Sequence, residues 1–107
     1  EPKAYIIICS TIPECKRLDI DLGIAAQSML LKAVEMGYNG LIIAAFNARK
    51  ITEAFALPYP PALILAVGKG AEKIELTEIP ADGDHHYYRD ENGTHYVPKV
   101  RWQDLII

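Results

Sequence analysis

The sequence predicts an α+β domain, and three observations carry that prediction. Two continuous apolar runs, AYIIIC at residues 4–9 and ALILAV at residues 62–67, are rich in β-branched and aliphatic residues and show no polar alternation. That is the pattern of strands covered on both faces. Between them, residues 19–37 carry apolar side chains at helical spacing over about five turns. Beyond Pro80 the texture changes to a polar and aromatic stretch, ADGDHHYYRDENGTHYVP, followed by the apolar tail WQDLII. Strands, a long helix and an extended C-terminal arm in this order belong to the α+β class.

Each element has a local reason. STIPECKR is an irregular crossover after the first strand. Asp19 or Asp21 suits the helix N-terminus, where a carboxylate caps free N–H groups and meets the positive end of the dipole. Gly37 is placed to be the left-handed residue that ends the helix. Residues 41–44 form a short apolar segment. Asn47 is the expected N-cap of a short helix over residues 48–55, which Leu57-Pro58 stops. KIELTEI, residues 73–79, alternates as a half-exposed strand does. Asn92-Gly93 is a strong two-residue hairpin pattern, which sets Asp90 opposite His95 and Arg89 opposite Tyr96. The last segment, KVRWQDLII, ends on an apolar strand-like tail.

The long helix poses a problem of its own. Asp21, Ser28, Lys32 and Glu35 fall in one narrow polar stripe, while Ile20, Leu22, Ile24, Ala25, Met29, Leu30, Leu31, Val34 and Met36 cover nearly all the rest. A surface helix normally leaves about half its circumference to water. The chain has too few other elements to cover this one, so association with further protein is expected.

Size and composition narrow the function. The 107 residues suit one small domain, and a net charge of -3 gives no field for nucleic acid and no cationic run for a membrane surface. No apolar run is long enough to span a bilayer, and EPKAYIIICS lacks the pattern of a signal peptide. Cys9 and Cys15 are too few for a disulfide scaffold and too far apart for a C-x-x-C pair, which leaves two reduced thiols and a cytoplasmic expectation. A strand starting within four residues of the first residue looks like a domain entered partway.

Candidate chemistry is sparse. His85, His86 and His95 lie near Asp82, Asp84, Asp90 and Glu91, but the expected hairpin register brings no tetrahedral set together, with His86 about 13 Å along the strand from Asp90. GKGAEK, residues 68–73, lacks the spacing of a phosphate loop. No catalytic triad or carboxylate pair can be assembled. Lys99 and Arg101 in YVPKVRW lie two apart, on one face of an extended segment, which suits a solvated strand face or a phosphate held by both cations. In GYNGLIIAAFN, residues 37–47, small residues after the helix suit tight helix–strand packing, and they would also let a flat ligand approach backbone N–H groups.

DLGIAAQSMLLKAVEMGYNG-LIIAAFN, then EAFALP, then PPALILAVGKG, then the basic pair, resembles in order and spacing the flavin-dependent nitroreductase family. The resemblance implies a homodimer with a mixed sheet and flanking helices, the long apolar helix lying at the dimer centre. It implies a C-terminal arm, residues 80–107 with their hairpin, that crosses to the partner, where WQDLII adds a strand. It implies FMN at the dimer interface and hydride transfer from NAD(P)H through flavin N5 to a second substrate in a ping-pong scheme. Carried over by position, Ile42, Ile43, Ala44 and Ala45 match the segment along the flavin edge, and Lys99 and Arg101 match the pair that holds the FMN phosphate. No side chain is assigned a catalytic role and none a metal.

Two departures accompany the resemblance. Some members have Glu-Gly where this chain has Ala44-Ala45. Members are also longer and begin with an Arg-Ser-x-Arg-like motif absent here, so the chain resembles the C-terminal part of a family domain. Two other readings stand beside the oxidoreductase: an oligomerising remnant without flavin, and a binding module that uses Lys99 and Arg101 for a nucleotide phosphate.

Overall fold

A computed structural model describes residues 1–106, and the chain divides into two compact units, residues 1–69 and 70–107. Ile107, the last residue of the expected arm strand, lies outside the described residues. Among the described residues the fold is α+β, with two α-helices and two small sheets.

The first unit runs β1 (Ala4–Cys9), α1 (Lys16–Glu35), β2 (Asn39–Ile43), α2 (Ala48–Phe55) and β3 (Pro61–Gly68). Its sheet has the order β1-β3-β2, and both pairings with β3 are antiparallel. The central place of β3 explains its unbroken apolar sequence. Ile64, Leu65 and Ala66 are buried, with Leu65 0% exposed, because each has a strand on either side and a helix layer to face. Ile7, Ile64 and Ile43 are in register across the sheet and share the α2 face with Ile51 and Phe55. Gly40 and Ile42 lie on the α1 face; a Cβ on Gly40 would collide with the Leu30 side chain, so this glycine lets α1 sit close on β2.

α1 begins earlier than its apolar periodicity indicates. Cys15 is the N-cap, without a side-chain hydrogen bond, and Asp19 lies in the first turn. Neither Asp19 nor Asp21 is therefore the cap, although Asp19 still places negative charge at the positive end of the helix. The C-terminus follows the expectation for Gly37. Its φ is 81°, Gly37 N–H donates to the Val34 carbonyl at 2.9 Å, and Tyr38 N–H donates to that of Ala33 at 2.9 Å. This is the paired closure of a Schellman motif. α2 also starts as expected, with Asn47 Oδ1 accepting the Lys50 N–H at 3.0 Å.

α1 buries one row and leaves another open. Ala26 and Ala33 are buried and Leu22, Ala25 and Leu30 half-buried. On the opposite side Ile24 is 62% and Leu31 60% exposed, and Ile20 and Val34 are exposed with them. Spacings of four and three residues align these with Gln27 along one seam, the geometry by which helices pair. The narrow polar stripe is real: Lys32 pairs with Glu35 at 2.7 Å and Ser28 Oγ donates to the Ile24 carbonyl at 2.8 Å.

The second unit holds β4 (Ile74–Ile79), β5 (Tyr88–Arg89), β6 (His95–Val100) and a 3-10 turn, Trp102–Leu105. The order is β4-β6-β5, parallel between β4 and β6 and antiparallel between β5 and β6, so this sheet is mixed. His95 N–H and Arg101 N–H donate to the carbonyls of Lys73 and Ile79. Alternation then turns the nitrogen of Pro98 toward the opposite edge, beyond the reach of the two-residue β5, where its missing N–H breaks no ladder bond.

Two expectations are corrected in this unit. The turn is not the two-residue Asn92-Gly93 type, since Arg89 pairs with His95 and Tyr88 with Tyr96. Asp90 Oδ1 accepts the N–H groups of Asn92 and Thr94 at 2.9 and 2.8 Å, Asp90 N–H donates to the Thr94 carbonyl at 3.1 Å, and Gly93 takes φ 78°. The Asp90 carboxylate thus draws Asp90 itself into the loop and moves the register by one residue. The tail is the second correction. Residues 102–105 form a 3-10 turn instead of a strand, closed by Asp104 N–H on the Arg101 carbonyl at 3.0 Å.

No helix among the described residues is long and apolar enough to cross a membrane, and Cys9 and Cys15 are both free.

Candidate functional site

β2 delivers the first set of candidate residues. Ile42 and Ile43 are ladder residues opposite Leu65 and Ile64, so their side chains alternate, Ile42 to the α1 face and Ile43 to the α2 face. Ile43 lines a groove of about 630 Å³ with Tyr5, Ile7, Ile51, Phe55 and Ile64. The two isoleucines cannot present one side-chain surface; what the segment offers a flat ligand is its backbone.

Ala44 and Ala45 leave the ladder and run exposed toward the Asn47 cap. Among the described residues, neither of their N–H groups meets a backbone or side-chain acceptor. Both side chains end at Cβ, so nothing shields these donors.

β6 delivers the second set. Lys99 is exposed and in register with Glu78, yet makes no ion pair with a carboxylate among the described residues. The ladder bond from Arg101 N–H to Ile79 keeps the backbone extended through Arg101, which places Lys99 and Arg101 on the same side. Arg101 is already engaged: its Nε lies 2.9 Å and its Nη2 2.8 Å from Asp104 Oδ2. Sequence reasoning missed that partner because it treated residues 102–107 as strand, in which positions 101 and 104 point to opposite faces.

The polar groups around the histidines sort into separate clusters. Glu72 Oε1 accepts from Arg89 Nη2 at 2.6 Å, and Glu72 Oε2 lies 3.4 Å from His95 Nδ1. The hydrogen bond from Arg89, and next that from His95, holds the Glu72 carboxyl below the ordinary carboxylate range. His95 also meets the Tyr87 ring edge-on at 5.3 Å, and its Nε2 is enclosed without a hydrogen-bond partner among the described residues.

Asp84 Oδ1 sits 2.6 Å from His86 Nδ1 and also accepts the His86 backbone N–H, which lowers the Asp84 carboxyl. Asp90 is lowered chiefly by the Thr94 backbone N–H. Tyr96, stacked on Tyr88 at 5.0 Å, is raised, first by burial and then by the charge of Asp90. No three His, Cys, Asp or Glu side chains converge as a metal site would require among the described residues.

A search of curated proteins finds no match to this chain. A family model described as Nitroreductase family matches residues 13–69, which takes in α1, β2, the exposed Ala44-Ala45 segment, α2 and β3. The stretch with Lys99 and Arg101 lies beyond that match. Since the match covers more than half of the 107 residues, the chain belongs to the Nitroreductase family, a family of oxidoreductases.

Proposed function

We propose that this chain is part of an FMN-dependent NAD(P)H oxidoreductase of nitroreductase type that works as a homodimer. In this reading residues 1–107 are one incomplete domain, with residues 80–107 as its arm, and the protein belongs to the cytoplasm, where Cys9 and Cys15 stay reduced. The observation that carries the reading is the Ala44-Ala45 segment: unpartnered, unshielded backbone N–H groups at the end of β2, inside the stretch that matches the family. Such donors suit the polar edge of a planar heterocycle, and the absence of bulk beyond Cβ admits it.

Bound FMN would supply the redox chemistry, hydride transfer between NAD(P)H and a second substrate in separate half-reactions. The chain's own part is to bind and orient. Ile42 and Ile43 fix the end of the strand that Ala44 follows. Ala44 and Ala45 donate from the backbone. Lys99 and Arg101 supply two cations for a phosphate, Arg by its planar fork and Lys as a point charge. No general acid or base is required of the protein at the reacting atoms. The open row Ile20, Ile24, Leu31 and Val34 of α1 is then the surface that meets the second subunit.

Titration of the chain with FMN, followed by flavin fluorescence and absorbance, tests this reading. Saturable binding is expected, weakened at least tenfold by Lys99→Ala with Arg101→Ala, since hydrogen bonds to charged groups are the stronger class. A chain that leaves FMN fluorescence untouched at any concentration fits the flavin-free remnant instead.

A further inference from the structure

The Arg101 guanidinium is not waiting empty for an anion. Two of its nitrogens, Nε and Nη2, converge on one oxygen of Asp104, at 2.9 and 2.8 Å. The turn that carries Asp104 is closed onto the same residue, with Asp104 N–H on the Arg101 carbonyl at 3.0 Å. The Asp104 side chain is 26% exposed and that of Arg101 46%, so the acid is the more enclosed partner and the cation the more open one. Two residues away on the same side, Lys99 has no acidic partner among the described residues. One cation of the pair is thus free and the other carries an internal counter-ion.

A phosphate that takes the Arg101 fork competes with this carboxylate for the same N–H donors. A carboxylate left nearby also repels the incoming anion. A phosphate dianion held jointly by Lys99 and Arg101 has a stronger Coulombic claim on the guanidinium than an acid of single charge, whereas a monoanion that meets only one of the two cations has no such advantage.

We propose that Asp104 is a built-in competitor for the phosphate site, occupying Arg101 until a phosphate dianion displaces it and thereby setting both the affinity and the anion selectivity of the Lys99–Arg101 pair. The proposal rests on the phosphate reading given above. Asp104 acts through Arg101 and is a positioning residue; it touches no reacting atom.

The test is FMN affinity of the full 107-residue chain, by fluorescence titration at low and at high ionic strength, with inorganic phosphate as a competing probe. Asp104→Asn keeps the size of the side chain and is expected to bind FMN about three- to tenfold tighter at low salt. The gap should close in high salt, because an exposed charge effect is screened while a packing effect is not. Asp104→Glu, which restores the charge, should return toward the parent affinity.

In an Arg101→Ala background, Asp104→Asn should lose the part of its effect that comes from competition for that guanidinium and keep only the repulsion that salt screens. Unchanged or weaker binding by Asp104→Asn, while Lys99→Ala with Arg101→Ala still weakens it, overturns the role of Asp104 alone. If that cation-free double variant binds FMN as the parent does, the phosphate reading falls, and this inference with it.

Discussion

Residues 1–69 and residues 70–107 fold by different means. The first unit is organised around buried apolar side chains: Ile64, Leu65 and Ala66 of β3 lie between neighbouring strands, with Ala26 and Ala33 of α1 also buried. Among the described residues of the second unit Thr94 and Pro98 are buried, and Leu76, in the middle of β4, is 70% exposed. Its cohesion comes from polar groups: Glu72 with Arg89 and His95, the Asp90 loop, Lys73 with Glu75 at 2.6 Å, and Arg101 with Asp104. Burial of apolar area is additive and indifferent to pH, whereas exposed ion pairs are weak singly and depend on protonation. The two units should therefore answer differently to truncation and to acid.

The largest effect is expected at Leu65. Leu65→Ala removes a fully buried side chain from the central strand and should cost about 2–5 kcal/mol in urea unfolding; a loss below about 1 kcal/mol would deny β3 its central role. Acid should act on the other unit. Glu72 and Asp90 are held below their ordinary values in the fold. The stability they contribute is complete above the unfolded carboxylate range and is lost as pH falls through their lowered folded values. Tyr88 and Tyr96 should accordingly lose their near-ultraviolet dichroism on acidification before the helical signal of the first unit falls.

A smaller change is expected from Asn47→Ala, which removes the α2 cap and should cost about 1 kcal/mol. The smallest belongs to Leu76→Ala. Although it is the same substitution as at Leu65, it should stay within about 0.5 kcal/mol. Equal costs at the two leucines would erase the contrast between the units.

The same contrast governs what could be read from the sequence. The first unit was legible where structure follows from local rules. Apolar runs gave β1 and β3, Asn47 gave the start of α2, and Gly37 gave the end of α1. The start of α1 was misplaced because Lys16 and Arg17 carry no apolar periodicity and Cys15 is a cap without a side-chain bond.

In the second unit the decisive contacts are specific and partly distant. Asp90 captures two backbone N–H groups and shifts the hairpin; Arg101 captures Asp104 and turns the tail. Parallel pairing of β4 with β6 joins segments some twenty residues apart and has no local signature. Of the candidate site, small residues after β2 and a basic pair near the C-terminus were visible, and Ala44 and Ala45 do stand exposed after β2. That Ile42 and Ile43 face opposite ways, and that Arg101 has an acidic partner, needed the fold.

In the proposed dimer α1 has two neighbours, its own sheet on one side and a second copy of the chain on the other. Sedimentation velocity at micromolar concentration, of the 11.9 kDa chain beside its Leu31→Asp variant, tests this directly. The account predicts a dimer for the parent and a smaller species for the variant, because a charge at the centre of the open apolar row cannot be buried without a partner. A parent chain that sediments as a folded monomer, with Ile20, Ile24, Leu31 and Val34 in water, would contradict it.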